Sequence, residues 1–244
     1  MANWYSAAAQ FLNGFPDNYL VFDTETTGLQ IDSPSTFIAE LGYAIVRDRK
    51  LVEAGAVVLD WTLGAAAVPE SEYRGALDKV RRDMAAKGKP YHTDWARVRE
   101  RGSEPVATLR EYRDLIEDAA GSDYALVAHN GFAFDRPLLE RYFRKTGNPY
   151  AINCELLVDT GLLEKCNQLQ WTPPMAGSCD RKHWWHKLAD ARRKGVKWSL
   201  DNYCVPAYGL VEKHNLDPAN AHSADYDCIC THHLLEAMRE RIED

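Results

Sequence analysis

Two acidic residues at the end of an apolar segment, Asp23 and Glu25, are the side chains best placed to do chemistry in this sequence. Alternate side chains of a β-strand point to the same face, so both carboxylates leave the sheet together. Like charges this close raise each other's pKa unless a cation lies between them. A divalent ion such as Mg²⁺ or Mn²⁺ is the simplest such cation, since it prefers oxygen ligands. A strand that runs into a turn at Thr27 and Gly28, with both acids solvated, explains a lone Asp-x-Glu as well.

Two further acids occupy positions that suit a functional site. Asp135 follows the short apolar segment 124–128 and precedes Arg136-Pro137, so it lies just past the end of a strand, where ligand sites of α/β sheets gather. An N-cap of the next helix is the alternative role for Asp135. Asp227 falls within the apolar stripe of the C-terminal helix, and a buried carboxylate is unfavourable without a partner.

A histidine, His222, precedes that helix by a single residue, Ser223, which is a plausible N-cap. His222 is therefore expected in the preceding loop, free to lean over the acids. A solvated or hydrogen-bonded imidazole without a catalytic role is the alternative.

Taken together, these residues resemble the DEDDh group of the DnaQ-like 3′–5′ exonucleases. The first motif of that family is matched by Phe22-Asp23-Thr24-Glu25-Thr26-Thr27-Gly28-Leu29, the second by His129-Asn130 through Phe134-Asp135, and the third by His222 through Asp227. Glu40-Leu41-Gly42, Tyr91-His92, Val158-Asp159-Thr160 and Leu200 also fall where the family has similar elements. The second motif has the spacing of the three-prime repair exonucleases, and the matches span residues 18–240 in the right order.

The resemblance implies a metal-dependent 3′–5′ exonuclease that releases nucleoside 5′-monophosphates, with DNA favoured as substrate. It implies that four acids hold two Mg²⁺ or Mn²⁺ ions, namely Asp23, Glu25, Asp135 and Asp227. His222 would take the proton from the attacking water. The implied contacts to the terminal nucleotide come from Thr26, Leu29, Tyr91, His92, Asn130 and Phe134.

The expected fold is α/β, an RNase H-like mixed sheet with a three-strand meander followed by parallel strands and flanked by helices. Apolar runs and turn residues predict strands over 19–23, 37–47, 51–59, 124–128 and 155–158, and helices over 70–87, 105–116, 136–145, 198–205 and 224–242. We expect one domain over 1–244, with insertions at about 69–89 and 165–197 relative to compact family members.

Composition narrows the class of protein further. A net charge of -7 argues against a broad basic surface for long duplex nucleic acid. The apolar runs are too short to span a membrane and the start lacks a signal peptide, so we expect a cytoplasmic protein with reduced cysteines. Single-stranded DNA 3′ ends are the expected partner, RNA ends are an alternative, and a polymerase or repair protein is a further expected partner. The oligomeric state is left open.

Three alternatives remain at this point. The chain could be an exoribonuclease, which a contact to the 2′-hydroxyl would distinguish, or a nucleic-acid-binding scaffold without activity. A zinc site could use Cys166, Cys179, His183 and His186, although the cysteine spacing is unusual. The segment 179–198 carries seven Lys or Arg, two Asp and three Trp, so it either grips single strands by stacking or packs its tryptophans on the core.

Overall fold

The computed structural model describes residues 11–12, 14–122, 124–171, 181–191 and 193–243. The elements follow in the order β1 (Tyr19–Thr26), β2 (Ile38–Arg47), β3 (Lys50–Val58), α1 (Glu70–Ala86), α2 (Trp95–Arg101), α3 (Pro105–Gly121), β4 (Ala125–Ala128), α4 (Asp135–Lys145), β5 (Leu157–Asp159), α5 (Thr160–Leu169), α6 (Arg181–Asp190), a π-helical turn (Leu200–Cys204), α7 (Val205–Ala207), α8 (Leu210–His214), a 3₁₀ turn (Pro218–Asn220) and α9 (Ala224–Glu243).

Within the described residues, the strands form a five-stranded sheet in the order β3-β2-β1-β4-β5. Strands β1, β2 and β3 pair antiparallel as a meander, whereas β4 pairs parallel to β1 and β5 parallel to β4. The predicted α/β architecture, a mixed sheet flanked by helices, is confirmed. Strand β1 is central, so its C-terminal end lies in the middle of the sheet edge.

The burial of β1 alternates at its C-terminal end. Residues 19–22 are buried, and then Asp23 and Glu25 are partly exposed while Thr24 and Thr26 are buried. In the pairing with β2, Asp23 lies opposite Gly42. The two acids therefore share one face of the sheet, as the spacing predicts.

Gly42 allows helix α9 to approach that face closely. A Cβ at Gly42 would lie 2.3 Å from both the carbonyl carbon and the carbonyl oxygen of Ala224, the first residue of α9. Any side chain would force α9 away from β1 and β2. The position of Asp227, one turn into α9, therefore depends on a glycine in a neighbouring strand.

We expect Gly42→Ala to lower the free energy of unfolding by about 1–3 kcal/mol, the usual effect of overpacking. A displaced α9 would also lower the rate of the nuclease reaction that the resemblance implies by roughly tenfold or more, because small displacements of catalytic groups are costly. Chemical denaturation and the turnover rate measure the two effects. Gly75→Ala in helix α1 is the matched control, since an added Cβ there meets nothing within 4 Å, and equal behaviour of the two variants would contradict the argument.

Three of the elements differ from the prediction. Helix α5 was not predicted because nearly all its residues are buried, so the helix shows no alternation of polar and apolar faces. The predicted helix over 198–205 is a π-helical turn, Leu200–Cys204, continued by the three-residue helix α7. The short charged helix α2 was also missed; the carboxylate of Asp94 caps its N-terminus by accepting from the backbone N–H of Arg97.

The aromatic residues of the basic segment pack on the core. Trp184 and Trp185 of helix α6 are buried and contact Phe11, and Trp185 also lies near Phe132. These contacts favour the packing interpretation for both rings. Cys179 and Arg192 of the same segment lie outside the described residues.

No helix in the described part of the chain is both long enough and apolar enough to cross a bilayer.

Candidate active site

Side chains from three separate elements converge where β1 ends. Strand β1 supplies Asp23 and Glu25, and helix α9 with the loop before it supplies Asp227 and His222. Ligand atoms of Glu25, His222 and Asp227 all lie within 4.8 Å of one another, which is close enough to share one metal ion. Asp135, the first residue of α4, completes the predicted set of acids.

Asp135 is bound to β1 and does not cap its own helix. Its Oδ1 accepts hydrogen bonds from the backbone N–H of Thr24 at 2.9 Å and from the Thr24 hydroxyl at 2.5 Å. The N-cap position of α4 belongs to Phe134, which makes no side-chain cap. The N-cap role considered for Asp135 is therefore wrong, and its carboxylate faces the acids of β1.

Burial and mutual repulsion raise the pKa values of the acids in this cluster. Burial raises the pKa of Asp23 well above its ordinary value, and the charges of Asp135, Asp227 and Glu25 raise it further. Burial and then the charge of Asp227 raise the pKa of Glu25 in the same way. Burial also raises the pKa of Asp135 to about 7, although hydrogen bonds from Thr24 oppose the shift, and that of Asp227 to about 6. Oxygen ligands that repel one another to this extent fit divalent cations.

His222 leans over the acids from a left-handed backbone conformation, with φ of 65°. Its backbone N–H points at Oδ1 of Asp227, at 3.4 Å. Its Nε2 is buried and lies 3.2 Å from Oδ2 of Asp201, close enough for an ion pair but too misaligned for a hydrogen bond. One ring nitrogen of this partly buried imidazole thus has no hydrogen-bond partner among the described residues.

Asp201 is a site residue that the sequence analysis missed. Its carboxylate pairs with Lys89 at 2.7 Å as well as lying near His222. Burial alone would raise the pKa of Asp201, but the hydrogen bond from Lys89 and the electrostatic interactions with Lys89 and His222 outweigh burial and lower it. A single Asp in an irregular segment carries no sequence pattern that could have identified it.

His129, the other histidine of the matched motifs, is structural. Its two ring nitrogens contact the hydroxyl of Thr160 at 2.9 Å and the carbonyl oxygen of Trp198 at 2.7 Å. Burial lowers its pKa to about 4. The ring is therefore neutral near pH 7 and already bonded at both nitrogens.

Asp159 shapes the loop that carries the second motif. Its carboxylate accepts from the backbone N–H groups of Asn130, Phe132 and Leu162, each at 2.9–3.0 Å. The same residue caps helix α5. Asp159, at the end of β5, therefore holds the loop that precedes α4 and so helps to position Asp135.

The predicted substrate contacts divide into two groups. A cleft of about 640 Å³ beside the acids is lined by Glu25, Thr26, Leu29, Tyr91 and His222, together with residues of helix α1. His92, Asn130 and Phe134 are not among the described residues that line this cleft.

Each of the remaining residues has a supporting contact. A ring nitrogen of His92 lies 3.0 Å from the carbonyl oxygen of Ala221, so His92 holds the loop that carries His222. Asn130 has φ of 59°, and its carbonyl oxygen accepts from the backbone N–H of Phe134. These contacts hold the loops that carry site residues.

The raised carboxyl pKa values predict a pH-dependent metal affinity. A metal ion must displace protons from carboxyl groups whose pKa values are raised to about 6 and 7, so binding strengthens as the pH rises through that window. Between pH 6 and pH 8 we expect the affinity for Mn²⁺ to increase by about tenfold. Titration calorimetry in two buffers of different ionisation enthalpy measures both the affinity and the released protons. An affinity that stays flat from pH 6 to pH 8, without proton release, would contradict the electrostatic picture.

One ligand of the zinc alternative, Cys166, is occupied by another contact. The thiol of Cys166 lies 2.6 Å from the carbonyl oxygen of Trp171, and the ring of His186 packs edge-on against Phe132. Cys179 lies outside the described residues. The buried thiol of Cys166 therefore has a structural contact.

The fold and the site define an α/β protein with the RNase H-like architecture of exonucleases. Neither a protein-family model nor a curated protein sequence matches the chain. Among solved structures, the chain is similar to E. coli exonuclease I in complex with a dT13 oligonucleotide, with 14% identity, a TM-score of 0.57, and coverage of 93% of this chain and 42% of that one. It is also similar to the zinc-bound form of the E. coli exonuclease I complex with single-stranded DNA, with 14% identity, a TM-score of 0.55 and the same coverage.

A product-bound structure of exonuclease I matches at 12% identity with a TM-score of 0.54, over 92% of this chain and 43% of that one. The chain thus spans less than half the length of these proteins. At such identities the likeness is one of fold.

Proposed function

We propose that this protein is a metal-dependent 3′–5′ exonuclease that acts on single-stranded DNA and releases nucleoside 5′-monophosphates. The observation that carries the proposal is the convergence of Glu25, His222 and Asp227 within 4.8 Å at the end of the central strand. The fold shared with exonuclease I bound to oligonucleotides supports DNA as the substrate.

Four carboxylates would hold two Mg²⁺ or Mn²⁺ ions: Asp23, Glu25, Asp135 and Asp227. The ions, when bound, would lower the pKa of the attacking water and stabilise negative charge on the phosphoryl oxygens. The crowding that raises the pKa of Asp23 and Glu25 fits this role, because bound cations relieve the repulsion between ionised carboxylates.

His222 would act as the general base. Its Nε2, which has no hydrogen-bond partner in the described part of the chain, would take the proton of the attacking water. The carboxylate of Asp201, 3.2 Å away, would then stabilise the positively charged ring. Lys89 keeps Asp201 in place through a contact of 2.7 Å.

The terminal nucleotide would lie in the cleft lined by Thr26, Leu29 and Tyr91. Leu29 is 80% exposed, which is unusual for a large apolar side chain and suits contact with a base. The hydroxyl of Tyr91 donates to the carbonyl oxygen of Thr26 at 3.3 Å and so ties this wall to β1. His92, Asn130 and Phe134 would support these residues from behind.

One experiment tests the reaction and its substrate. DNA and RNA of matched sequence, single- and double-stranded and labelled at the 5′ end, are digested with Mg²⁺ or with EDTA and resolved by size. We expect a ladder that shortens one nucleotide at a time from the 3′ end of single-stranded DNA, only with Mg²⁺. Faster digestion of RNA would assign the exoribonuclease function, and binding without shortening would assign a scaffold.

A further inference from the structure

Helix α1 forms one wall of the cleft beside the acids. Tyr73 and Leu77 are its buried residues and attach it to the core. Ala76, Val80 and Met84 follow one another at intervals of four residues, are only partly buried, and line the cleft. A helix thus presents an open apolar row to a cleft that also contains Glu25 and His222.

A second row on α1 is charged. Lys79, Asp83 and Lys87 repeat at the same interval and also line the cleft. Lys79 pairs with Asp83 at 3.0 Å. Within the described part of the chain, Lys87 is exposed and has no ion-pair partner.

Two further residues that line the cleft extend this combination of apolar and positively charged side chains toward the acids. The exposed Leu29 of the turn after β1 lies on the same cleft, as does Lys89, which pairs with Asp201. From Ala76 to Lys87 the helix wall is about 16 Å long at 1.5 Å per residue. That is several times the spacing of about 3.4 Å between stacked bases, so the cleft extends beyond one nucleotide.

We propose that helix α1 binds the single strand upstream of its 3′-terminal nucleotide, with Val80 and Met84 against bases or sugars and Lys87 on a backbone phosphate. The inference rests on the proposed function and adds a second binding segment to it. Apolar contact to unstacked bases beside a cation for phosphate is the chemistry that holds single strands without sequence preference. Lys87 is the cation for this role, because Lys79 and Lys89 already pair with carboxylates.

Lys87→Ala, Lys87→Glu and Met84→Ala test the proposal, with Arg82→Ala and Arg82→Glu as matched controls. Arg82 is an exposed cation of the same helix. It is not among the described residues that line the cleft. For cleavage of a 12-nucleotide single strand we expect the KM to rise about fivefold in Lys87→Ala and about 20-fold in Lys87→Glu, since a phosphate contact is lost and then made repulsive. Met84→Ala should raise the KM about threefold. The Arg82 variants should stay within twofold of the wild type.

Salt dependence of binding gives a readout that does not depend on turnover, and substrate length gives a second readout. Fluorescence anisotropy of a labelled 12-nucleotide strand, measured with Asp227→Asn protein in EDTA, reports binding without cleavage. The slope of log affinity against log salt should become about 0.7 less negative in Lys87→Ala and remain unchanged in Arg82→Ala. Cleavage of a dinucleotide should be unaffected in the Lys87 and Arg82 variants, because its single phosphate is the scissile group and no upstream phosphate is present for Lys87.

The outcomes separate this inference from the proposed function. If the wild type shortens DNA but the Lys87 and Arg82 variants share the same KM and the same salt slope, α1 does not bind the strand and the exonuclease assignment stands. If the wild type cleaves neither the dinucleotide nor the longer strand, the proposed function fails. An increase of the dinucleotide KM equal to that of the 12-nucleotide strand would place Lys87 at the terminal nucleotide and overturn the upstream contact.

Discussion

Replacing Asp23 by asparagine should abolish the release of nucleotides from single-stranded DNA, with a loss of at least about 10³-fold, because charge stabilisation by a metal ion contributes several kcal/mol. The same change should make the metal-free protein more stable at pH 8. The pKa of Asp23 is raised in the folded state, so the folded protein loses stability as the pH rises through that raised value. A neutral asparagine removes that loss. The Tm in EDTA should increase by roughly 3 °C or more at pH 8, and the difference should vanish near pH 4.

Asp225→Asn is the matched control for Asp23→Asn and for Asp227→Asn. Asp225 is two residues from Asp227, but its carboxylate accepts from the Ser223 hydroxyl at 2.6 Å and from the backbone N–H of Tyr226 at 2.8 Å. We expect Asp225→Asn to retain activity within about threefold, since surface changes away from the chemistry have small effects. If Asp23→Asn or Asp227→Asn keeps more than a tenth of the wild-type activity, the two-metal mechanism is wrong.

Replacing His222 should lower the single-turnover rate by about 10² to 10⁴, the usual range for losing a general base. Asparagine is the informative replacement, because it tolerates the φ of 65° at this position better than alanine does. We expect the affinity for Mn²⁺ to change little in either His222→Asn or His222→Ala. Calorimetry and rapid-quench kinetics measure the two quantities on the same protein.

The metal affinity of the His222 variants distinguishes a general base from a metal ligand at this position. His222 lies within 4.8 Å of Glu25 and Asp227, so it could in principle ligate the ion itself. A large loss of affinity in His222→Asn would assign it as a ligand. Asp201→Asn provides the comparison: it should lower the rate about tenfold, as expected for a residue that orients a catalytic histidine, and leave metal affinity intact.

Much of the fold was predictable from local patterns. The meander followed from three apolar segments and the polar turn Asp48-Arg49-Lys50. The helices predicted over 70–87 and 224–242 are observed as Glu70–Ala86 and Ala224–Glu243. Helix α5 was not predictable in this way. It is buried on nearly every side, so no contrast between faces remains in its sequence.

The sequence by itself determined the types of the five proposed catalytic residues, their order, and the shared face of Asp23 and Glu25, because a strand's alternation is a property of neighbouring residues. Only the tertiary structure decided which distant groups meet them. The closeness of Asp227 depends on the missing side chain of Gly42, and the orientation of Asp135 depends on hydrogen bonds from Thr24. The contact of Asp201 with His222 joins two irregular segments. Such contacts arise from how elements pack together, and packing leaves no periodic trace in either of the segments that it brings into contact.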